Sequence, residues 1–250
     1  MNRLQRWLKP LAVTGLLAMS LATFNLASQS DEAQEGFDRQ SEEEIAQADA
    51  KIARDFAGAV SVASIDKSTE DEILARYAYV DPNREVPTDL LKNAILYFDA
   101  TLSRFPNQAR VTIVDFKPRS NRQRLFLIDM ASGAVEKYRT THGIGSDRNK
   151  DGYAERFSNV VNSGTSSLGF VRTGEVYHGK FRRSLRLDGL SSTNSNIRRR
   201  AIVYHGWDNV YERDVVQGLS WGCITMDWAL KDAVIDKIRD GSLMYVGVAQ

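Results

Sequence analysis

At about residue 110 the hydrophobic pattern of this chain changes its period. The stretches 110–116 (RVTIVDF) and 124–130 (RLFLIDM) are short apolar runs rich in branched and aromatic residues. Ser132-Gly133 then supplies a turn, followed by AVEKYRTT, so a β-hairpin with a third strand is expected. The run 201–204 (AIVY) predicts a buried strand ending at His205, and SLMYVGVA near the C-terminus predicts another. Between 143 and 200, Gly and Asn clusters predict a region dominated by loops. After Cys223, Asp227 is placed to cap a helix with Leu230, Ala233, Val234 and Ile238 on one face, and Gly241 to close it. The expectation is a mainly β fold with attached helices (α+β) over 108–250, in a chain of 250 residues that can bury one substantial core.

Upstream, helical spacing takes over. Leu90, Leu91, Ala94, Ile95, Phe98 and Leu102 predict an amphipathic helix within 87–105, capped by Thr88 or Asp89. With a second helical stretch at 68–80, residues 68–107 read as a helical segment packing on the β-rich core. Residues 31–67 open rich in Glu, Asp and Gln, which suits an acidic linker or a marginal helix. Residues 1–30 begin with Arg3, Arg6 and Lys9 and continue into the apolar run Leu11–Ala27, with Ser20 and Ala22 offering small residues for cleavage. That pattern predicts an export signal, hence a periplasmic or cell-envelope location, with an uncleaved membrane anchor as the alternative.

The chain has one cysteine, Cys223, and three histidines. A single thiol cannot close an internal disulfide, and its bland explanation is a small buried hydrophobe. The neighbourhood argues otherwise. His205 ends the predicted strand, and Ser220-Trp221-Gly222-Cys223 follows it. A thiol is a few per cent ionised at neutral pH, and an imidazole held beside it can take its proton and later protonate a leaving amine. Gly222 permits a tight bend, which would let backbone N–H groups near Gly222 and Cys223 face a developing oxyanion. Ser220 is suited to orient the loop. With 33 basic against 32 acidic residues, charge gives no reason to expect nucleic acid as a partner.

The pair His205-Gly206 followed by Ser220-x-Gly222-Cys223 resembles the catalytic motif of YkuD-type L,D-transpeptidases, and more narrowly the divergent murein L,D-transpeptidase catalytic domain family. Further blocks carry the likeness: LFLIDMASGAVEKYRTTHGIGS, RFSNVVNSGTSSLGFVRTGEVYHGKF, SLRLDGL and RAIVYHG, so that it covers about residues 120–246. The resemblance implies a YkuD-like β-sandwich or partly closed barrel, with Cys223 as nucleophile and His205 as base in a groove. Ser220, Gly222 and Gly206 match its supporting positions. It implies acyl transfer on peptidoglycan stem peptides through a cysteine thioester, giving 3–3 cross-links, with neither metal nor organic cofactor. It also implies that carbapenem-type β-lactams acylate Cys223. Many YkuD-type enzymes carry Arg two residues after the cysteine, where this chain has Thr225. Arg172, Arg182, Arg183 and Arg186 are the substitutes offered by the matched blocks, and Arg172, Arg183, His142, Trp221 and Gly206 are the expected substrate-binding residues.

Other features have plainer explanations. His178 is expected in a turn. Asp147-Arg148-Asn149-Lys150-Asp151-Gly152 opens like a calcium loop, but its twelfth position is Ser158 rather than Glu, so 147–158 reads as a polar surface turn. Arg198-Arg199-Arg200 makes the 180–200 region basic and reads as a solvated loop drawn to an anionic wall. Two other functions share or discard the same residues: an L,D-carboxypeptidase or endopeptidase, in which water resolves the thioester, and a non-catalytic wall-binding module.

Overall fold

A computed structural model describes residues 39–250 of the chain. The expected export segment over 1–30 and the start of the acidic stretch lie outside the described residues. From Glu42 the acidic stretch is helical: α1 (Glu42–Asp55) begins with a capping box in which Ser41 and Glu44 satisfy each other's backbone amides. Two further helices, α2 (Lys67–Arg76) and α3 (Thr88–Ala100), precede the sheet, and α4 (Lys231–Ile238) lies before the last strand. Neither Thr88 nor Asp89 caps α3. Pro87 occupies that position, and the Asp89 carboxylate instead accepts from the Gln250 amide at 3.0 Å.

Eight strands form one mixed sheet: β1 (Arg110–Asp115), β2 (Leu125–Asp129), β3 (Val135–Tyr138), β4 (Gly169–Gly179), β5 (Arg182–Gly189), β6 (Val203–Gly206), β7 (Ile224–Met226) and β8 (Leu243–Gly247). Their order is β3-β2-β1-β8-β4-β5-β6-β7. The pairs β1–β8 and β6–β7 are parallel and the others antiparallel. The expected hairpin is β1–β2, with Arg110 opposite Asp129. The two edges are drawn together beyond the strands: Ser220, ahead of β7, donates its amide to the His142 carbonyl at 2.9 Å, and Ile144, after β3, donates to the Ser220 carbonyl at 2.8 Å. The sheet is thereby a nearly closed barrel, and its seam runs through the segment that carries Cys223.

Strand alternation separates two cores. Val114, Leu125, Leu127, Leu185, Leu187, Tyr204, Ile224, Met226, Met244 and Val246 fill one, plugged by Val234, Ile235 and Ile238 of α4. The alternate residues Val111, Ile113, Phe126, Ile128 and Leu243 face outward and pack with Leu90, Ala94, Ile95 and Phe98 of α3. Each large apolar side chain so covered contributes about 1.5–3 kcal/mol. In α4, Ile235 is buried where Ala233 was expected, since Ala233 is exposed.

The loop-dominated expectation for 143–200 is corrected by β4 and β5, the two longest strands. Their glycines and charges hide the alternation. The charges are buried in pairs: Arg172 lies 3.3 Å from Asp188, and Arg198 lies 2.5 Å from the same carboxylate. His178 is in β4 opposite Arg183 rather than in the turn, which is made by Lys180 and Phe181.

Candidate active site

Backbone conformation shapes the turn that leads into Cys223. Gly222 has φ +113°, and a Cβ there would run into the Thr165 carbonyl oxygen, so only glycine fits. The Ser220 hydroxyl donates to the Cys223 carbonyl at 2.9 Å and accepts from the Gly222 amide at 3.1 Å. These bonds wind residues 220–223 into a compact turn. The Gly222 amide is therefore engaged by Ser220, which removes it from the expected oxyanion donors in this state.

Cys223 is the last residue before β7 and is 2 % exposed. Its thiol points at the Ala201 carbonyl, with Sγ 3.7 Å from the oxygen. Ala201 itself sits in the left-handed region at φ +50°. Burial raises the Cys223 pKa to about 11, and the Val203 amide, the Arg200 guanidinium and its own amide act in the opposite sense. The resting sulfur is a protonated thiol.

His205 lies on β6 opposite Thr225 of the parallel neighbour β7. Tyr204, Ile224 and Met226 point into the barrel core, so His205 and Thr225 project to the opposite face. Extending the register by one pair beyond Tyr204–Ile224 sets Cys223 beside Val203, two residues before the imidazole. Phe181 stacks on the ring at 3.9 Å, and Trp207 meets it edge-on at 6.2 Å. Nδ1 lies 2.8 Å from the Gly206 carbonyl, an acceptor, so Nδ1 carries the proton and Nε2 keeps its lone pair. Burial lowers this pKa to about 4, with Lys231 adding to the shift. No hydrogen bond joins the imidazole to Cys223 among the described residues. The pair rests as a neutral thiol immediately ahead of β7 and a neutral base on β6.

The other expected site residues divide. Gly206 follows the histidine, where a Cβ would strike the Trp228 ring. Trp221 is 48 % exposed beside the nucleophile, and it and Ile144 both pack over Gly164. His142 is wholly buried behind the turn, with Arg124 Nη2 2.7 Å from Nδ1 and Asp147 3.3 Å from Nε2. Burial, with the adjacent Arg124, holds His142 at about 4. It buttresses the turn and does not line a groove. Arg172 and Arg183, expected as substrate ligands, both carry ion pairs. Arg172 is paired with Asp55 at 2.7 Å and with Asp188, and Arg183 with Asp236 at 2.5 Å, so both are held by carboxylates. Arg182 and Arg186 lie over the Trp228 and Tyr177 rings. In the stretch that opens like a calcium loop, the Asp147 oxygens accept from the amides of Asp151 and Gly152. No group of three or more His, Cys, Asp or Glu side chains among the described residues is arranged to hold a metal ion.

Three residues near the site were not expected as site residues. Arg124 is fully buried beneath His142. Thr225, marked in the sequence only by standing two residues after the cysteine, has its Oγ1 buried without a hydrogen-bond partner. Arg200 reaches behind the turn, where its Nη2 donates to the Thr165 carbonyl at 2.5 Å. Only its membership of an arginine triplet marked it, and that pattern pointed to a solvated loop.

The fold is thus a nearly closed β-barrel with a buried thiol at its seam, immediately ahead of β7, and an imidazole on the neighbouring strand β6. Residues 82–246 match the model of the L,D-transpeptidase catalytic domain, YkuD_2, and the chain belongs to that family. The fold is also similar to the solved L,D-transpeptidase from Xylanimonas cellulosilytica, at 14 % identity over 60 % of this chain and 68 % of that one, with a TM-score of 0.34. No curated protein matches this chain by sequence.

Proposed function

We propose that this protein is a peptidoglycan L,D-transpeptidase that works through a Cys223 thioester. The observation that supports the proposal is Cys223 immediately ahead of β7 with His205 on the parallel neighbour β6, Nε2 being left unprotonated. His205 takes the thiol proton, and Sγ attacks the carbonyl of the third residue of a tetrapeptide stem. The peptide bond breaks, D-alanine leaves with the proton held by His205, and a thioester remains. The amine of a second stem then displaces sulfur, giving a 3–3 cross-link and returning the thiol. The Cys223 and Val203 amides, which act on the sulfur, are the backbone donors proposed for the developing oxyanion.

Peptidoglycan stems are the proposed partner, carbapenem-type β-lactams the proposed covalent inhibitors of Cys223, and the periplasm or cell envelope the proposed location, reached through the 1–30 segment. No described helix is long and apolar enough to cross a membrane. Incubating protein lacking residues 1–30 with disaccharide-tetrapeptide, beside a Cys223→Ala control, tests the reading by mass spectrometry. Release of D-alanine with a new 3–3 dimer, absent from the control, is the expected result. Tripeptide without dimer would favour the carboxypeptidase reading, and identical mixtures would overturn both.

A further inference from the structure

We propose that Arg200 is a positioning residue for the thiolate: its guanidinium, fixed behind the 220–223 turn, supplies the positive charge against which Cys223 ionises. The inference rests on Cys223 being the nucleophile. The first observation is the company Arg200 keeps. Nη1 donates to the Ser158 carbonyl at 2.5 Å and to the Ser167 hydroxyl, and Nη2 to the Ser163 hydroxyl at 3.1 Å and the Thr165 carbonyl at 2.5 Å. Every acceptor is neutral. Arg172, Arg183, Arg198 and Arg199 each have a carboxylate within 4 Å, whereas Arg200 has none among the described residues. A mostly buried cation without a counter-ion is costly, and burial lowers its pKa to about 10.

The second observation is where this charge is held. The Thr165 carbonyl that Arg200 grips is the atom packed against Gly222, and the next residue, Ala201, offers its carbonyl to the Cys223 thiol. Among the described residues, the charge acting on Arg200 is that of Cys223, the charge acting on Cys223 is that of Arg200, and no carboxylate is felt by either. The 158–167 loop contributes serines and a threonine to Arg200, and β6 contributes the neutral His205. When the S–H bond breaks and the proton passes to His205 Nε2, the new anion gives Arg200 the counter-charge it lacks.

The test is the rate of Cys223 alkylation by iodoacetamide at pH 7.5 in the full chain, where the guanidinium is charged; it needs no substrate and so fails or succeeds apart from transpeptidation. Arg200→Gln is expected to slow alkylation at pH 7.5 about tenfold. Arg200→Lys is expected to keep the rate within about threefold of wild type, since a lysine is also charged at this pH. Thermal unfolding of both variants is recorded alongside. If Arg200 only braces the 158–167 loop, both variants melt earlier and both rates stay at the wild-type value, which overturns the proposal. Should Arg200→Gln fail to fold, the Lys variant decides: a rate reduced about tenfold or more in folded protein also overturns it, because the charge is kept.

Discussion

The Ser220 side chain closes the turn that leads into Cys223: its hydroxyl donates to the Cys223 carbonyl at 2.9 Å, while the same oxygen receives the Gly222 amide at 3.1 Å. The serine therefore shapes the backbone under Cys223 and leaves the sulfur untouched. Ser220→Ala deletes both bonds and leaves the buried Gly222 amide without a partner, a loss of about 1–3 kcal/mol. We expect a lower urea midpoint together with turnover reduced about tenfold or more, because a misplaced sulfur loses its attack geometry. Wild-type values for both quantities would show that the turn holds itself.

Gly222 is the second support of that turn. At φ +113° any side chain is strained, and the Thr165 carbonyl occupies the space a Cβ needs. Gly222→Ala is expected to destabilise by at least about 1–3 kcal/mol and to abolish detectable acyl transfer. A thermal unfolding curve that superimposes on wild type would contradict the close approach described here.

These two residues also show how far the sequence could be read. Ser220, Gly222, Cys223 and His205 are legible because their chemistry is carried by residue type and short spacing, and the β1–β2 hairpin because alternation is a local signal. The strands β4 and β5 were hidden. Arg172, Arg186 and Asp188 fall among the apolar residues, and only the tertiary partners Asp55 and Arg198 make their burial tolerable. Arg172 and Arg183 look from sequence like ligands in waiting, yet Asp188 and Asp236 hold them. Arg200 looks like its exposed neighbour Arg199, yet the fold turns it inward. Which arginine of a triplet is buried is set by packing, for which periodicity holds no code.

Stability should be lost on acidification through two histidines. His142 and His205 are each held at about 4 in the fold, chiefly by burial, whereas the unfolded chain protonates them near 6.5. The unfolded state therefore binds up to two more protons as pH falls, so their contribution is complete above about 6.5 and disappears toward 4. On the alkaline side the Cys223 pKa, raised to about 11, acts the other way. The unfolded thiol ionises first, and stability declines as pH rises past about 8.5. Urea unfolding at pH 4.5, 7 and 9.5 is expected to be most favourable to the fold at pH 7, with a deficit on the order of a few kcal/mol at pH 4.5. Equal stability at pH 7 and 4.5 would mean that the buried imidazoles are charged in the fold.

Trp221 separates binding from folding. Its ring is half-exposed beside the nucleophile, packed with Ile144 over Gly164, and lies in neither buried core. An aromatic surface at this position suits contact with the apolar portions of a stem peptide or the face of a sugar. Trp221→Ala removes that surface without opening a cavity, so the unfolding midpoint should stay within about 0.5 kcal/mol of wild type. The uniform binding it supplies should disappear as a KM raised about tenfold, with kcat changed less than about threefold. A fall in kcat at unchanged KM would instead place Trp221 in the alignment of the reacting atoms rather than in substrate binding.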